Sequence, residues 1–262
     1  MKKDNKETKM KKIGFDTKDW ELYATCYDSL NYLTPYQQLQ EVVIEELGIL
    51  NNQSILDAGC GTGNSTQRII QKYPNSKIKI WAIDSSREML NRARVKCVEF
   101  PVNFIQTDIN QPLSFPNNFF DKIISVNNLY ALNNPKETLR EFFRVLKPGG
   151  QLILVTPKKG YQNGLILKKH CESKKPDEYW LDAHRSPSRE KELIAEAIMD
   201  KKIASQMMLV AEYNRKIVTT GTFHFFESVE LKELIKICGL KVIKTTSTYA
   251  DQGILITAKK EV

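Results

Sequence analysis

The segment 55–63, Ile-Leu-Asp-Ala-Gly-Cys-Gly-Thr-Gly, carries three glycines at alternate positions. Glycine permits backbone conformations with positive φ and lets a ligand lie directly on the main chain, with the N-terminus of a following helix behind it. A dinucleotide-binding loop requires G-x-G-x-x-G, and the third glycine of that pattern would fall at Asn64. Asp57 suits an ammonium group or a water network better than a pyrophosphate. The spacing therefore favours a ligand other than a dinucleotide, and an ordinary strand-to-helix turn remains the alternative.

A second acid follows the next apolar run of the chain. Asp84 comes directly after the predicted strand 77–83, and Ser85 follows it with Glu88 three residues later. A serine followed at that distance by a glutamate has the pattern of a capping box, which predicts that a helix begins at Ser85. Asp84 is therefore expected at a junction between a strand and a helix.

Short apolar runs alternate with helical patterns from residue 54 onward, as is typical of βαβ units and a parallel sheet. The predicted strands cover 54–57, 77–83, 102–106, 120–126, 151–156, 241–248 and 254–258. The turn signal Asp251-Gln252-Gly253 separates the last two and predicts that they are antiparallel. The expected fold class is α/β.

The remaining segments do not fit this alternation and predict a division of the chain. Residues 1–18 are expected to form a disordered basic tail, and 19–50 a helical lid before the first strand. The core is expected to comprise 51–156 and 228–262, with 157–227 as an insertion. Ligands of open α/β sheets bind beyond the carboxyl ends of the strands. The insertion begins directly after the carboxyl end of the fifth predicted strand. It is therefore expected to cap the ligand site.

Composition and charge exclude several classes of protein. The 262 residues are 41% hydrophobic, enough for a sizeable core. No apolar run approaches the ~18 residues of a membrane span, and none follows the basic start as in a secretory signal, so a cytoplasmic location is expected. Six lysines against two acids in residues 1–12 account for half of the net charge of +8, so a nucleic-acid partner is not favoured. The five cysteines are widely separated and predict neither a metal site nor disulfides.

Five segments together resemble the class I S-adenosylmethionine-dependent methyltransferases. They are Leu-Asp-Ala-Gly-Cys-Gly-Thr-Gly at 56–63, Ala-Ile-Asp at 82–84, Gln-Thr-Asp at 106–108, Phe-Asp-Lys-Ile-Ile-Ser at 120–125 and Leu-Lys-Pro-Gly-Gly at 146–150. The resemblance implies a Rossmann-like, seven-stranded, mainly parallel sheet with an antiparallel last strand. It also implies S-adenosyl-L-methionine (SAM) as cofactor and in-line methyl transfer to an O, N or C nucleophile.

The resemblance also implies the cofactor contacts. The carboxylate of Asp84 would accept both ribose hydroxyls, and Asp108 would accept from the adenine amino group. Tyr23 and Tyr27 match the family's N-terminal lid, where a ring can face the sulfonium, although packing of the lid helix is an equal alternative. The cofactor-binding positions so implied are Tyr23, Tyr27, Asp57, Gly59, Cys60, Gly61, Asp84, Ser85, Met89, Asp108, Ile109 and Asn127.

The sequence determines the methyl acceptor less well than the cofactor. The segment 127–130 reads Asn-Asn-Leu-Tyr rather than the Asn-Pro-Pro-Tyr type of many enzymes that methylate adenine or glutamine amino groups, which favours a small-molecule acceptor. His224 is the candidate general base, since it lies between two phenylalanines in an alternating stretch. Tyr130, Trp180 and Phe223 are the candidate substrate contacts, although Trp180 could instead anchor the insertion.

Three functions therefore remain open at this point. The leading one is a SAM-dependent methyltransferase for a small organic molecule. The others are a methyltransferase for RNA, protein or peptide, and a protein that binds SAM without turnover or uses a nicotinamide cofactor. The oligomeric state does not follow from the sequence.

Overall fold

The computed structural model describes residues 15–262, except for the side chain of His184. The helices are α1 (Thr17–Tyr27), α2 (Thr34–Leu47), α3 (Asn64–Lys72), α4 (Arg87–Lys96), α5 (Pro135–Val145), α6 (Asn163–His170), α7 (Asp177–Leu181), α8 (Pro187–Ala197), α9 (Lys201–Thr220) and α10 (Ser228–Ile237). The strands are β1 (Ser54–Ala58), β2 (Lys79–Asp84), β3 (Val102–Gln106), β4 (Phe120–Val126), β5 (Leu146–Pro157), β6 (Leu240–Thr248) and β7 (Gly253–Lys260). Short 3-10 turns occupy Asp28–Tyr32, Leu129–Ala131 and Asp182–His184.

The strands form one seven-stranded sheet in the order β3-β2-β1-β4-β5-β7-β6. The pairs from β3 across to β5 are parallel, whereas β7 is antiparallel to both β5 and β6. The expected Rossmann-like sheet with an antiparallel last strand is therefore confirmed. Because β1 to β5 run in one direction, the residues that follow them converge at one edge of the sheet.

Both faces of the sheet are covered by apolar helix faces. Helices α5 and α10 bury Leu139, Phe142 and Leu231 on one face. Helices α2 and α3 bury residues such as Leu39 and Ile69 on the other. This packing fixes the strands, so the loops at their carboxyl ends start from rigid positions.

A separate helical layer lies over the carboxyl edge of the sheet. It combines α1 with α6 to α9, and its buried cluster includes Tyr23, Trp180, Leu193 and Met207. Within residues 15–262, no helix is both long and apolar enough to cross a lipid bilayer.

The beginning of this layer corrects the expected tail. Helix α1 begins at Thr17, and the ring of Phe15 packs edge-on against Trp20 and Phe223, with centroids 4.7 and 5.7 Å away. Residues 15–18 therefore belong to the folded part, because an aromatic side chain anchors them. The lysine-rich residues 1–12 of the expected tail lie outside the described residues.

The start of α4 also differs from the expectation. Its N-cap is the buried Ser86, whose Oγ accepts the Met89 N–H at 3.2 Å. The expected N-cap at Ser85 is therefore wrong by one residue, and the expected capping box of Ser85 and Glu88 does not form. The reason lies in Asp84, whose Oδ1 accepts the N–H of Ser86 at 2.9 Å and shapes the turn before the helix.

Candidate cofactor and acceptor site

The glycine loop between β1 and α3 has the positive-φ backbone that its sequence predicts. Gly59, Gly61 and Gly63 all have positive φ, at 75°, 53° and 81°. A Cβ on Gly59 would lie 2.3 Å from the Asn128 side chain, so the backbone is packed too closely there for any other residue. The N–H groups of Gly59 and Cys60 both donate to the carbonyl of Ile83, at 2.9 and 3.0 Å. These bonds fix the loop beside the end of β2.

Asp84 terminates β2 with its carboxylate at this loop. Its Oδ2 accepts the N–H of Gly61 at 2.9 Å, while its other oxygen holds the N–H of Ser86. Burial raises the pKa of this carboxyl, and the two backbone donors oppose that rise. Each carboxylate oxygen retains a lone pair for a further donor. The group is therefore oriented by the backbone and available to a ligand.

Asp57, near the end of β1, is almost completely buried. Burial is the main cause that raises the pKa of its carboxyl to about 7, and the nearby charge of Asp84 adds to the rise. A hydrogen bond from Thr66 Oγ1, at 2.6 Å, partly offsets it. A buried carboxylate with this pKa lacks a cationic partner, so a ligand ammonium beside it would stabilise its charged form.

A cavity of about 920 Å³, including its open mouth, lies over the glycine loop and the carboxyl edge of the sheet. Most of the sequence-predicted cofactor residues line it together with one predicted substrate residue. They are Tyr27, Asp57, Gly59, Cys60, Gly61, Asp84, Ser85, Met89, Asp108, Ile109, Asn127 and Tyr130. The structure thus brings together residues that are spread over more than 100 positions of the chain, as the convergence of parallel strands requires.

Asp108 and Cys60, which both line the cavity, lie in different environments. Asp108 is exposed, and its Oδ1 accepts the N–H of Asn110 at 2.9 Å, which leaves its other oxygen for a ligand. Cys60 is buried, and burial raises the pKa of its thiol well above the usual value. Since the thiolate is the nucleophilic form, this cysteine is unreactive, as expected for a small residue in a ligand cradle.

Three of the predicted aromatic residues do not line the cavity. Tyr23 lies behind Tyr27, and its hydroxyl donates to Asn214 Oδ1 at 2.9 Å. Trp180 is fully buried in the helical layer, where its Nε1 donates to Ser173 Oγ at 3.3 Å, so it anchors the insertion. Phe223 packs behind Tyr130, with ring centroids 5.6 Å apart. The presence of an aromatic residue in the sequence does not show whether its ring lines the cavity or packs behind the residues that line it.

The structure does not place His224 at the cavity. Its side chain is exposed, and only its backbone approaches the site, donating to the carbonyl of Tyr130 at 2.7 Å. In this extended stretch, alternate side chains point to opposite sides. Because Phe225 stacks on Tyr130 at 5.5 Å, His224 faces away. The geometry gives no support to a base at this position.

Several lining residues were missed by the sequence reasoning. Tyr36, Gln40, Asn64 and Ser65 form a polar wall, in which Ser65 Oγ donates to Gln40 Oε1 at 2.8 Å. Trp20 also lines the cavity, seven residues before Tyr27 on the same face of α1. That spacing places two residues on one side of a helix and could have identified Trp20.

The cavity therefore has two chemically different sides. The side of the glycine loop carries the acids Asp57 and Asp84, whereas Trp20, Tyr27 and Tyr130 supply rings on the other. Among the described residues that line the cavity, none is a lysine, arginine or histidine. The site is thus suited to a cationic, hydroxyl-bearing ligand beside an apolar, ring-lined space.

The fold and the site have the features expected of a class I methyltransferase, and comparisons with known proteins agree. Residues 55–150 match the family model described as a methyltransferase domain. A SAM-dependent methyltransferase structure from Aquifex aeolicus superposes with a TM-score of 0.57 at 19% identity, covering 94% of this chain and 99% of that one. Residues 55–150 therefore form a methyltransferase domain, and the fold is that of a SAM-dependent methyltransferase.

Curated relatives are similar over part of their length. Malonyl-[acyl-carrier protein] O-methyltransferase of Priestia megaterium is 30% identical over 71% of this chain and 63% of its own. Demethylmenaquinone methyltransferase of Tropheryma whipplei is 33% identical over 50% of this chain and 54% of its own. The chain thus spans less than two thirds of the curated relatives that it matches.

Proposed function

We propose that the protein transfers the methyl group of SAM to a small organic acceptor bound against the ring-lined side of the cavity. The observation that carries this proposal is one cavity whose lining combines the acids Asp57 and Asp84 with the rings of Trp20, Tyr27 and Tyr130. One side suits the cofactor, and the other leaves an apolar space for a second molecule.

The residues present fit SAM. Asp84 would accept from the ribose hydroxyls, and Asp108 with Met89 would hold the adenine. Asp57 would face the ammonium group, and the methionine portion would lie along the backbone of the glycine loop. When bound, the cofactor supplies a methyl group made electrophilic by its sulfonium.

The contribution of the protein to the reaction is mainly orientation. Burial raises the pKa of the Tyr27 and Tyr130 hydroxyls, so both stay protonated, and we propose that Tyr130 donates a hydrogen bond to the acceptor. Holding two reactants in line is worth about 7–11 kcal/mol of the barrier, so no dedicated base is required. The lone pair of the acceptor would form the bond to the methyl carbon as the bond from that carbon to sulfur breaks, S-adenosylhomocysteine would leave, and the acceptor would release its proton to water.

The charge of the lining bears on the acceptor class. A carboxylate or phosphate placed on the ring-lined side would meet no lysine, arginine or histidine among the described lining residues. Burying an unpaired anion is costly, whereas a flat uncharged ring packs well against Trp20 and Tyr130. We therefore propose an uncharged aromatic acceptor, such as a phenol or hydroquinone. Of the two relatives, the demethylmenaquinone enzyme is the closer precedent by name.

Part of the proposal concerns the helical layer. Helix α1 supplies Trp20 and Tyr27 to the wall, and Phe223 of the insertion supports Tyr130 from behind. We propose that these two segments cap the acceptor and determine its choice.

The test is a screen for S-adenosylhomocysteine release with paired acceptors. Each phenol or naphthol is compared with the carboxylate of the same ring, for example 2-naphthol with 2-naphthoate. The proposal expects turnover with the uncharged member and none with the anion. Preference for the carboxylates would contradict the uncharged acceptor, and preference for RNA or peptide would contradict the small-molecule acceptor.

A further inference from the structure

A polar cluster outside the cavity joins the end of α1, the glycine loop and the end of α4. The Nζ of Lys96 lies 2.8 Å from Asp28 Oδ1 and 3.3 Å from Thr62 Oγ1. The hydroxyl of Thr62 donates to the same Asp28 oxygen at 2.5 Å. Lys96 also donates to the side-chain oxygen of Asn64. The ammonium group at the end of α4 thus binds two segments that are distant from it in sequence.

This cluster continues into the cavity wall. Asn64 is buried and lines the cavity, and its Oδ1 also accepts from Asn31 Nδ2 at 3.0 Å. Its Nδ2 donates to the hydroxyl of Tyr36 at 3.3 Å, and Tyr36 lines the same cavity. The orientation of two cavity residues therefore depends on hydrogen bonds that lead back to Lys96.

The ion pair is partly shielded from water. The Lys96 side chain is 16% exposed and that of Asp28 is 40% exposed. An ammonium group offers three donors, and here the oxygens of Asp28, Thr62 and Asn64 are its partners. Removal of the cation would take one donor from each of these oxygens and leave the Asp28 carboxylate with the Thr62 hydroxyl as its donor, which costs more than the loss of an exposed pair.

We propose that Asp28 and Lys96 are positioning residues that fasten the N-terminal lid to the glycine loop and so hold the cavity in the shape that binds SAM. The proposal rests on SAM binding in this cavity. Because α1 carries Trp20 and Tyr27, the same connection couples the acceptor wall to the cofactor loop. Coupling of this kind is reciprocal, so bound SAM should in turn stabilise the lid.

The experiment measures SAM affinity by calorimetry, with no acceptor present, for wild type, Lys96→Met, Asp28→Asn and the double variant. Lys96→Met keeps the aliphatic stem, and Asp28→Asn keeps the shape of the side chain. Lys147→Met is the matched control, since Lys147 pairs with Asp121 at the same 2.8 Å at the opposite edge of the sheet. Lys96→Arg tests rescue by a conserved charge.

We expect each single variant to bind SAM about tenfold more weakly, the size of a lost charged hydrogen bond, with the double variant no weaker than the singles. The control should retain wild-type affinity, and Lys96→Arg should recover part of the loss. In limited proteolysis, SAM should protect the lid of wild type but not that of Lys96→Met.

Folded Lys96→Met and Asp28→Asn variants with wild-type SAM affinity would overturn this proposal and leave the proposed function intact. So would an equal loss in Lys147→Met, since that would indicate a general effect of removing an ion pair. If Lys96→Met does not fold, the affinity of Asp28→Asn alone decides. Failure of the wild type itself to bind SAM would instead contradict the proposed function.

Discussion

The buried carboxyl of Asp57 makes SAM affinity dependent on pH near neutrality. Its pKa of about 7 means that about a tenth of the molecules carry the charge at pH 6 and about nine tenths at pH 8. If the ammonium group of SAM requires the charged form, affinity should rise about tenfold between pH 6 and pH 8. The substitution Asp57→Asn keeps the shape and removes the titration.

The assay is calorimetric titration with SAM at several pH values for wild type and Asp57→Asn. The ligand's own amino group also titrates, but it contributes equally to the two proteins. The charge of Asp57 interacts with that of Asp84, so the difference between the two curves reports the titration of Asp57 together with its effect on Asp84. Between pH 6 and pH 8, we expect the SAM affinity of wild type to rise more steeply with pH than that of the variant. Parallel curves would refute the assignment of Asp57 to the ammonium group.

The same group has a consequence for stability without ligand. A carboxyl whose pKa is raised from 3.8 to about 7 binds more protons in the folded state than in the unfolded state between these values. The free energy of unfolding therefore falls as pH rises from 4 to 7, by as much as about 4 kcal/mol. Urea denaturation should show that Asp57→Asn is more stable than wild type above pH 7, and a less stable variant would contradict the argument.

Four substitutions separate the wall of the cavity from its surroundings. Trp20→Ala should lower kcat/KM for the acceptor about tenfold with little change in SAM affinity, while Leu22→Ala on the exposed side of α1 should change neither. His224→Ala should keep wild-type turnover because the side chain is exposed, and a large loss would restore it as a candidate base. Gly164→Ala should lower the free energy of unfolding by about 1–3 kcal/mol in urea, because its Cβ would lie 1.9 Å from the Trp180 carbonyl oxygen.

The features that sequence reasoning predicted are those determined by short stretches of chain. The glycine loop follows from its spacing, the strands 102–106 and 120–126 from runs of apolar residues, and the final hairpin from a turn signal. The convergence of Asp57 and Asp84 then follows, since parallel strands bring their carboxyl ends to one edge.

The features that were missed depend on packing between distant segments. Trp180 has the residue type of a substrate wall, yet its position inside the helical layer makes it part of a core. Tyr36 reaches the cavity only because α2 packs beside the glycine loop, where its hydroxyl accepts from Asn64, and no local pattern shows this packing. Likewise, the N-cap of α4 is Ser86 rather than the predicted Ser85, because Asp84 accepts the N–H of Ser86 and shapes the turn before the helix.

The central claim is that the acids of this cavity bind SAM, and Asp84 tests it most directly. Calorimetry should show SAM binding to wild type, weakened in Asp84→Ala by roughly 1.5–3 kcal/mol, the range for hydrogen bonds to a charged group. Asp84→Asn serves as a second variant because it keeps the shape of the side chain and one of its two acceptor oxygens. Circular dichroism checks the folding of both variants. Unchanged SAM affinity in the folded variants, or no SAM binding by wild type, would contradict the account.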